Sequence, residues 1–378
     1  MTDLSPASGR PRAVFAGSGV ALPERVVTND ALARVLETSD EWIRERSGIE
    51  ERRFVERGTG SADLGAGAAR AALADAGIEP SEVDYLVCAT MTPDHYFPGT
   101  GTLIQQRLGI DPLPALDIRQ QCAGFAYGLQ MVDALVGSGT ARTVLLVGTD
   151  VHTALMPFSE RTWEVLEAAS GDGAGPPVGE LGEEDFAWNS RFRHLLVLFG
   201  DAAGAMVFRA EAAGTGGGAE DAPRGILGAA LYGDGGQKDV LYVPGGGSAR
   251  RPWIDAEQIA AGESVPVMDG RQVFKLAVTR MPEATRDLLA AHGLGLDEVD
   301  LLVMHQANLR INQAAQRALG LPDERVHNNI QRYGNTTSAT LPLAFHEARR
   351  EGKAPPGALV AFTALGAGLH WGSVLLRL

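Results

Sequence analysis

Two stretches of the chain repeat one order of apolar and polar positions. Residues 68–90 read AARAALADAGIEPSEVDYLVCAT, and residues 284–306 read ATRDLLAAHGLGLDEVDLLVMHQ. Each opens with the spacing of an amphipathic helix, passes a glycine suited to a helix C-terminus, and ends in an apolar run that predicts a buried strand. At an offset of 216, Gly77 meets Gly293, Val83 and Asp84 meet Val299 and Asp300, and Leu86 and Val87 meet Leu302 and Val303. A second pair follows at an offset of 215: residues 122–148 and 337–362 each predict a helix, a glycine stop at Gly137 or Gly352, and a β-rich run. Two such pairs in the same order predict a duplicated βα-rich half. Helical patterns alternating with wholly apolar strands predict an α/β protein with covered sheets. The halves are read as residues 1–210 and 225–378, joined by the Gly-rich connector Gly214 to Pro223. Residues 158–189, with the acidic piece GDGAGPPVGELGEED, interrupt the first half and fit a solvated surface excursion better than a functional lid.

Composition narrows the class. A 378-residue chain that is 45% hydrophobic and 21% charged predicts a soluble globular protein. No run of about 20 apolar residues offers a membrane crossing, and Met1 to Arg12 lacks the apolar centre of a signal peptide. The net charge of −14 argues against nucleic acid as a partner. Only two cysteines, Cys88 and Cys122, exclude a disulfide scaffold and predict a reducing, cytoplasmic setting.

Cys88 lies inside the strand-like run LVCAT and reads as inert packing. Cys122 differs. It follows the apolar run 113–118 and precedes Phe125, Leu129, Val132 and Val136, spaced as on a helix. Small residues at Ala123, Gly124, Ala126 and Gly128 suit a helix threaded through a core. Cys122 is thus predicted at a helix N-terminus, where free N–H groups and the dipole favour thiolate. His305 ends the predicted strand 301–304, at the carboxyl edge where ligands of α/β sheets gather. Asn335, in the turn GNTTSAT, precedes a second predicted helix. The repeat register places Cys122 and Asn335 near equivalent helix starts. A lone GSG around Ser18 lacks the third glycine of a dinucleotide site.

QCAGFAYGL around Cys122, HQANLRIN around His305 and YGNTTSAT around Asn335 resemble the three active-site motifs of the β-ketoacyl-[acyl-carrier-protein] synthase III family. TSDEWIRERSGI at 38–49, FGDAAGA at 199–205 and GAGLHWGS at 366–373 extend the resemblance over nearly the whole chain. It implies a thiolase-like fold with two duplicated halves in a layered αβαβα core. It also implies decarboxylative condensation of an acyl-CoA starter with a malonyl-[acyl-carrier-protein], without a bound metal or cofactor. Cys122 would carry the acyl group, and His305 and Asn335 would hydrogen-bond the malonyl thioester carbonyl. The backbone N–H groups of Cys122 and Ala367 would form the oxyanion hole. Trp42, Arg46, Arg193, Arg271 and Asn308 would bind CoA. Lys275 and Arg310 would receive the acidic carrier protein. Phe97 matches a residue that enters the partner subunit's acyl pocket, which implies a homodimer.

Four departures bear on the acyl substrate: Ala367 replaces a glycine, Gln120 and Gln121 precede the nucleophile, Arg271 replaces a neutral residue, and the 158–189 segment is long. They point to a starter enzyme of specialised metabolism. Two other functions use the same residues differently. One is acyl transfer to an alcohol or amine without decarboxylation, which has no use for Asn335. The other is a non-catalytic subunit of a heterodimer, which has no use for the whole set.

Overall fold

The computed structural model of the chain describes residues 9–170, 179–212 and 223–378. The predicted connector, except Pro223, lies outside the described residues, as do positions 1–8 and 171–178.

In the first half, β1 (Arg12–Ala21), β2 (Tyr85–Ala89), β3 (Ala115–Ile118), β4 (Thr143–Asp150) and β5 (Ala202–Glu211) form a sheet ordered β1-β5-β4-β2-β3. In the second, β6 (Gly225–Gly233), β7 (Leu301–Met304), β8 (Val326–His327), β9 (Leu359–Gly366) and β10 (His370–Arg377) are ordered β6-β10-β9-β7-β8. Counted from the first strand of each half, the two orders are the same. The directions agree too: the first two joins are antiparallel and the last two parallel.

The helices that matter here are α1 (Asp40–Ser47), α2 (Ser61–Ala76), α3 (Thr100–Leu108), α4 (Gly124–Gly137), α5 (Glu160–Ala169), α6 (Glu183–Arg191), α7 (Gly270–Ala291), α8 (Leu309–Leu319) and α9 (Thr340–Arg350). Strand alternation sorts them into layers. On β4, Val144 and Leu146 face a central core with Phe125, Leu129 and Val132 of α4 and Leu341, Ala344 and Phe345 of α9. Leu145 and Val147 face outward to Ala68, Ala72 and Leu73 of α2 and Ile104 of α3. The second sheet repeats this: Val303 and Phe362 point to the centre, while Leu302 and Ala361 meet Ala277, Met281 and Leu288 of α7. The chain therefore stacks as α, β, α, β, α, with α4 and α9 as the middle layer. Each fully buried Leu or Phe there contributes roughly 1.5–3 kcal/mol.

A fourth core lies beyond the sheets and corrects one expectation. The 158–189 segment is more than a solvated excursion. Val165 and Leu166 of α5 are buried against Leu32, Leu36 and Phe54, and the core continues through Leu195, Val197 and Val265. Trp163 meets Phe54 edge-on at 6.2 Å. The charged positions Glu160, Arg161 and Glu164 share this helix and conceal its apolar face in a simple reading of composition.

Candidate active site

A single tight turn, Gln121–Ala123, leads from β3 into α4 and carries Cys122, which is 8% exposed. A matching turn, Thr337–Ala339, leads into α9. Each opens on a non-glycine residue in the left-handed region, Gln121 at φ 45° and Thr337 at φ 50°. The counterpart of Cys122 in the second half is therefore Ser338, in the 216-residue register of Gly77 and Gly293, and Asn335 stands three residues earlier. The expected equivalence of Cys122 and Asn335 is corrected to that extent. A left-handed conformation is a strain for β-branched Thr337, of the kind that collects at functional sites.

Thr337 ties together Asn335 and His305, and its turn packs against the one that carries Cys122. Its backbone N–H donates to Asn335 Oδ1 at 2.9 Å, so the Asn335 amide group points its N–H pair elsewhere. Its carbonyl accepts from the Thr340 hydroxyl at 2.8 Å, and that hydroxyl lies 2.8 Å from His305 Nδ1. With the Thr340 proton given to Thr337, His305 Nδ1 is the N–H donor and Nε2 keeps a lone pair. His305 Nε2 is buried and has no partner among the described residues. The Thr337 hydroxyl hydrogen-bonds His152 Nε2.

The electrostatics depart from the expectation for a helix N-terminus. Burial, and then the charge of Asp150, push the Cys122 thiol up to about 12, against its own backbone N–H and the Thr337 hydroxyl. A helix dipole supplies at most about 2 kcal/mol, less than the cost of taking a thiolate out of water. Burial pushes His305 down to about 3, and burial together with His305 does the same to His152. Both imidazoles are neutral at ordinary pH. Cys88, fully buried in β2, is pushed well above the usual thiol range by burial and agrees with its reading as packing.

Asp150, at the end of β4, joins the halves. Its Oδ1 accepts from Met91 N at 2.8 Å, Thr92 Oγ1 at 2.9 Å and Thr92 N at 3.1 Å, and its Oδ2 from Ser338 N at 2.9 Å and from the Ser338 hydroxyl. Ala367 follows β9 directly. A Cβ on its neighbour Gly366 would lie 2.9 Å from the backbone nitrogens of Cys122 and Ala123, so only glycine lets this strand end meet the Cys122 amide.

Of the residues expected at CoA, Trp42 on α1 lies between two guanidinium groups, Arg46 at 4.4 Å and Arg193 at 4.5 Å from the ring centroid. Asn308 is engaged in the protein: it donates to the Arg46 carbonyl at 2.8 Å and caps α8 through Arg310 N at 2.9 Å. Arg271 and Lys275 are exposed on α7, and Arg310 on the adjoining α8. Phe97 is 80% exposed beside Tyr96, whose ring meets Trp253 at 4.2 Å. Among the described residues, no cluster of three or more His, Cys, Asp or Glu could hold a metal, and no helix is long and apolar enough to cross a membrane.

Sequence reasoning missed His152, Asp150, Thr337 and Thr340. Asp150 had a usable signal, a carboxylate closing the apolar strand TVLLVGTD. The two threonines had none, because turn and cap positions favour threonine everywhere.

Residues 116–190 match the family model described as 3-Oxoacyl-[acyl-carrier-protein (ACP)] synthase III, and residues 289–378 match its C-terminal counterpart. The β-ketoacyl-[acyl-carrier-protein] synthase III of Rhodospirillum rubrum is 42% identical over 97% of this chain and 99% of its own length. That of Cereibacter sphaeroides is 41% identical over the same shares. The crystal structure of 3-oxoacyl-[acyl-carrier-protein] synthase III from Aquifex aeolicus superposes with a TM-score of 0.78 at 35% identity, covering 97% of this chain and 100% of that one. The priming β-ketosynthase of the R1128 polyketide pathway superposes with a TM-score of 0.78 at 30% identity, covering 98% and 97%. With its thiolase-like layers, its motif residues gathered around Thr337 and this identity over almost its full length, the chain belongs to the β-ketoacyl-[acyl-carrier-protein] synthase III family.

Proposed function

We propose that Cys122 is the acyl-accepting nucleophile and that His305 and Asn335 bind the malonyl thioester in the condensation characteristic of this family. The activity is that of a condensing acyltransferase, which joins an acyl-CoA starter to malonyl-[acyl-carrier-protein] with loss of carbon dioxide. The observation that carries the residue assignment is the gathering of all three at the Thr337–Ala339 turn: Asn335 is bonded to Thr337, His305 is linked to it through Thr340, and the turn bearing Cys122 packs against it.

In the first half-reaction, Cys122 Sγ attacks the thioester carbon of acyl-CoA. The new S–C bond forms, the bond to the CoA sulfur breaks, and the thiol proton leaves on CoA. His305 Nε2, with its free lone pair, takes and returns that proton. The N–H groups of Cys122 and Ala367 receive the oxyanion, a role supported by the close approach of Gly366. In the second half-reaction, the malonyl group loses carbon dioxide, and the enolate oxygen accepts from Asn335 Nδ2 and His305 Nε2–H. The enolate carbon then attacks the acyl carbon and releases Cys122. The Thr340 hydroxyl, 2.8 Å from both the Thr337 carbonyl and His305 Nδ1, can accept from Nδ1–H or, when the ring proton is on Nε2, donate to Nδ1, so it accommodates the tautomer that each step uses.

Arg46 and Arg193, stacked on the Trp42 ring, form a cationic cluster suited to the phosphates of CoA. A small, mainly apolar cavity of about 30 Å³, lined by Met91, His152, Leu155, Leu196, Phe199 and Val265, is a candidate for the far end of the acyl pocket. Lys275 and Arg310 offer exposed cations to an acidic carrier protein. The exposure of Phe97, Tyr96 and Trp253 supports a homodimer in which Phe97 reaches the second subunit. Residues 1–210 and 225–378 serve as the two halves, and two free thiols suit a reducing cytoplasm.

Mass spectrometry of the protein after exposure to a panel of acyl-CoAs tests the assignment. Cys122→Ala is expected to abolish both acyl labelling and condensation. Asn335→Ala keeps labelling but slows condensation on the order of 100-fold, the usual cost of one oxyanion donor. Normal turnover by the Cys122 variant would sink the reading.

A further inference from the structure

Arg52 is the largest wholly buried side chain among the described residues. It lies on a short antiparallel ribbon, Arg25–Thr28 against Glu51–Phe54, opposite Val27. Its Nη1 donates to Asn29 Oδ1 at 2.8 Å and to the Val27 carbonyl at 3.2 Å, and its Nη2 donates to the Val197 carbonyl at 2.8 Å. These acceptors are neutral. Burial lowers the guanidinium to about 9, which leaves it a cation at neutral pH. A buried cation held by neutral acceptors is costly, and an apolar side chain of similar volume often serves stability as well. The placement of Arg52 therefore calls for a reason other than stability, and Val197 supplies one.

Val197 leads directly into the three residues that hold Asn335 by its backbone. The Leu198 carbonyl accepts from Asn335 N at 2.8 Å, Gly200 N donates to the Asn335 carbonyl at 3.1 Å, and Phe199 pairs with Asn335 in parallel. Arg52 also lies against the seam between these two stretches of chain. A Cβ on Gly200 would run into the Tyr333 carbonyl and lie 3.0 Å from Arg52 Cβ. One on Gly334, which is left-handed at φ 63°, would lie 2.7 Å from the Leu198 carbonyl and 3.5 Å from Arg52 Cβ. The ribbon of Arg52 clasps both stretches, since Glu50 N donates to the Gln331 carbonyl at 2.9 Å and Asp201 N to the Arg53 carbonyl at 2.8 Å. With Thr337 N on Asn335 Oδ1, both the backbone and the amide plane of Asn335 are fixed. We propose that Arg52 is a positioning residue for Asn335: by fastening the Val197 carbonyl it fixes the 197–200 segment that carries the Asn335 backbone, and so aims Asn335 Nδ2 at the enolate oxygen. The inference rests on Asn335 being an enolate donor. It assigns Arg52 to the second half-reaction, because its chain of bonds ends at Asn335.

The test uses the full chain in two single-turnover measurements. One is acylation of Cys122 by saturating acetyl-CoA, and the other is discharge of the pre-acylated enzyme by saturating malonyl-carrier protein. Both rates are expressed per acyl-labelled site, so that any unfolded fraction cancels. Arg52→Met is expected to slow discharge between about 10-fold and 100-fold, the upper figure being the cost of misplacing a catalytic group by about 1 Å. Acylation stays near the wild-type rate. The double variant Arg52→Met with Asn335→Ala discharges no more slowly than Asn335→Ala alone, because the guanidinium acts through that amide. Where Arg52→Met yields no labelled protein, Gly200→Ala keeps the guanidinium and wedges the 198–200 segment off Tyr333, with the same selective loss of discharge expected. Equal losses in the two half-reactions overturn the proposal, as does an unchanged discharge rate or a double variant whose losses multiply. Discharge at the wild-type rate by Asn335→Ala alone would remove the assignment of Asn335 instead.

Discussion

Buried, neutral histidines link catalysis to acid stability residue by residue. His152 and His305 both titrate near 3 in the folded chain, against an ordinary value of 6.5. Between those values the unfolded chain binds protons that the folded chain does not. Stability is thus complete above about pH 6.5 and declines as pH falls toward 3. The expected result is an unfolding midpoint that drops on acidification from pH 7 to pH 5, with a shallower slope in His152→Leu. Parallel slopes for the two proteins would show that His152 is not held neutral. The same lowering predicts that condensation has no acidic limb near pH 6.5 arising from His305.

At the scale of elements, the site is made by two turns and the carboxylate that ties them. Asp150 ends β4 in the first half, yet it holds the amide of Ser338, which opens toward α9 in the second. Asp150→Ala leaves the Ser338 and Met91 amides without their acceptor. Each orphaned buried donor costs about 1–3 kcal/mol, so the loss of stability should lie on the order of 2–5 kcal/mol. Chemical denaturation reads this directly, and an unchanged midpoint would mean that water replaces the carboxylate. Much at this scale was legible beforehand. The 216-residue register foretold two like sheets, because buried strands and glycine-capped helices leave periodic marks. The small residues after Cys122 foretold a helix between layers. The core of residues 158–189 was not legible, since its apolar positions are spread over two helices among acidic residues and find each other only in space. Nor could sequence reveal that burial would outweigh the helix dipole at Cys122, for burial is a property of the assembled fold.

Over the whole molecule, charge decides how a second protein approaches. A net charge of −14 repels an acidic carrier protein except where cations are concentrated. Lys275 and Arg310 stand exposed on neighbouring helices α7 and α8. Reversing both, as Lys275→Glu with Arg310→Glu, should raise KM for malonyl-carrier protein roughly ten-fold at low salt, with the difference shrinking as salt is added. Acyl labelling of Cys122 by a small acyl-CoA should change little, and an unaltered KM would place the carrier elsewhere. The shared strand order of the two sheets has its own consequence at this scale. In a pair of identical halves, every substitution at one turn would appear at the other, so neither could specialise without spoiling its twin. A single chain holding both halves escapes that constraint. Gln121 and Cys122 could then keep sulfur for bond-making, while Thr337 and Ser338 kept hydroxyls that brace the facing turn against His152 and Asp150, and the asymmetry of the chemistry became possible on a symmetric frame.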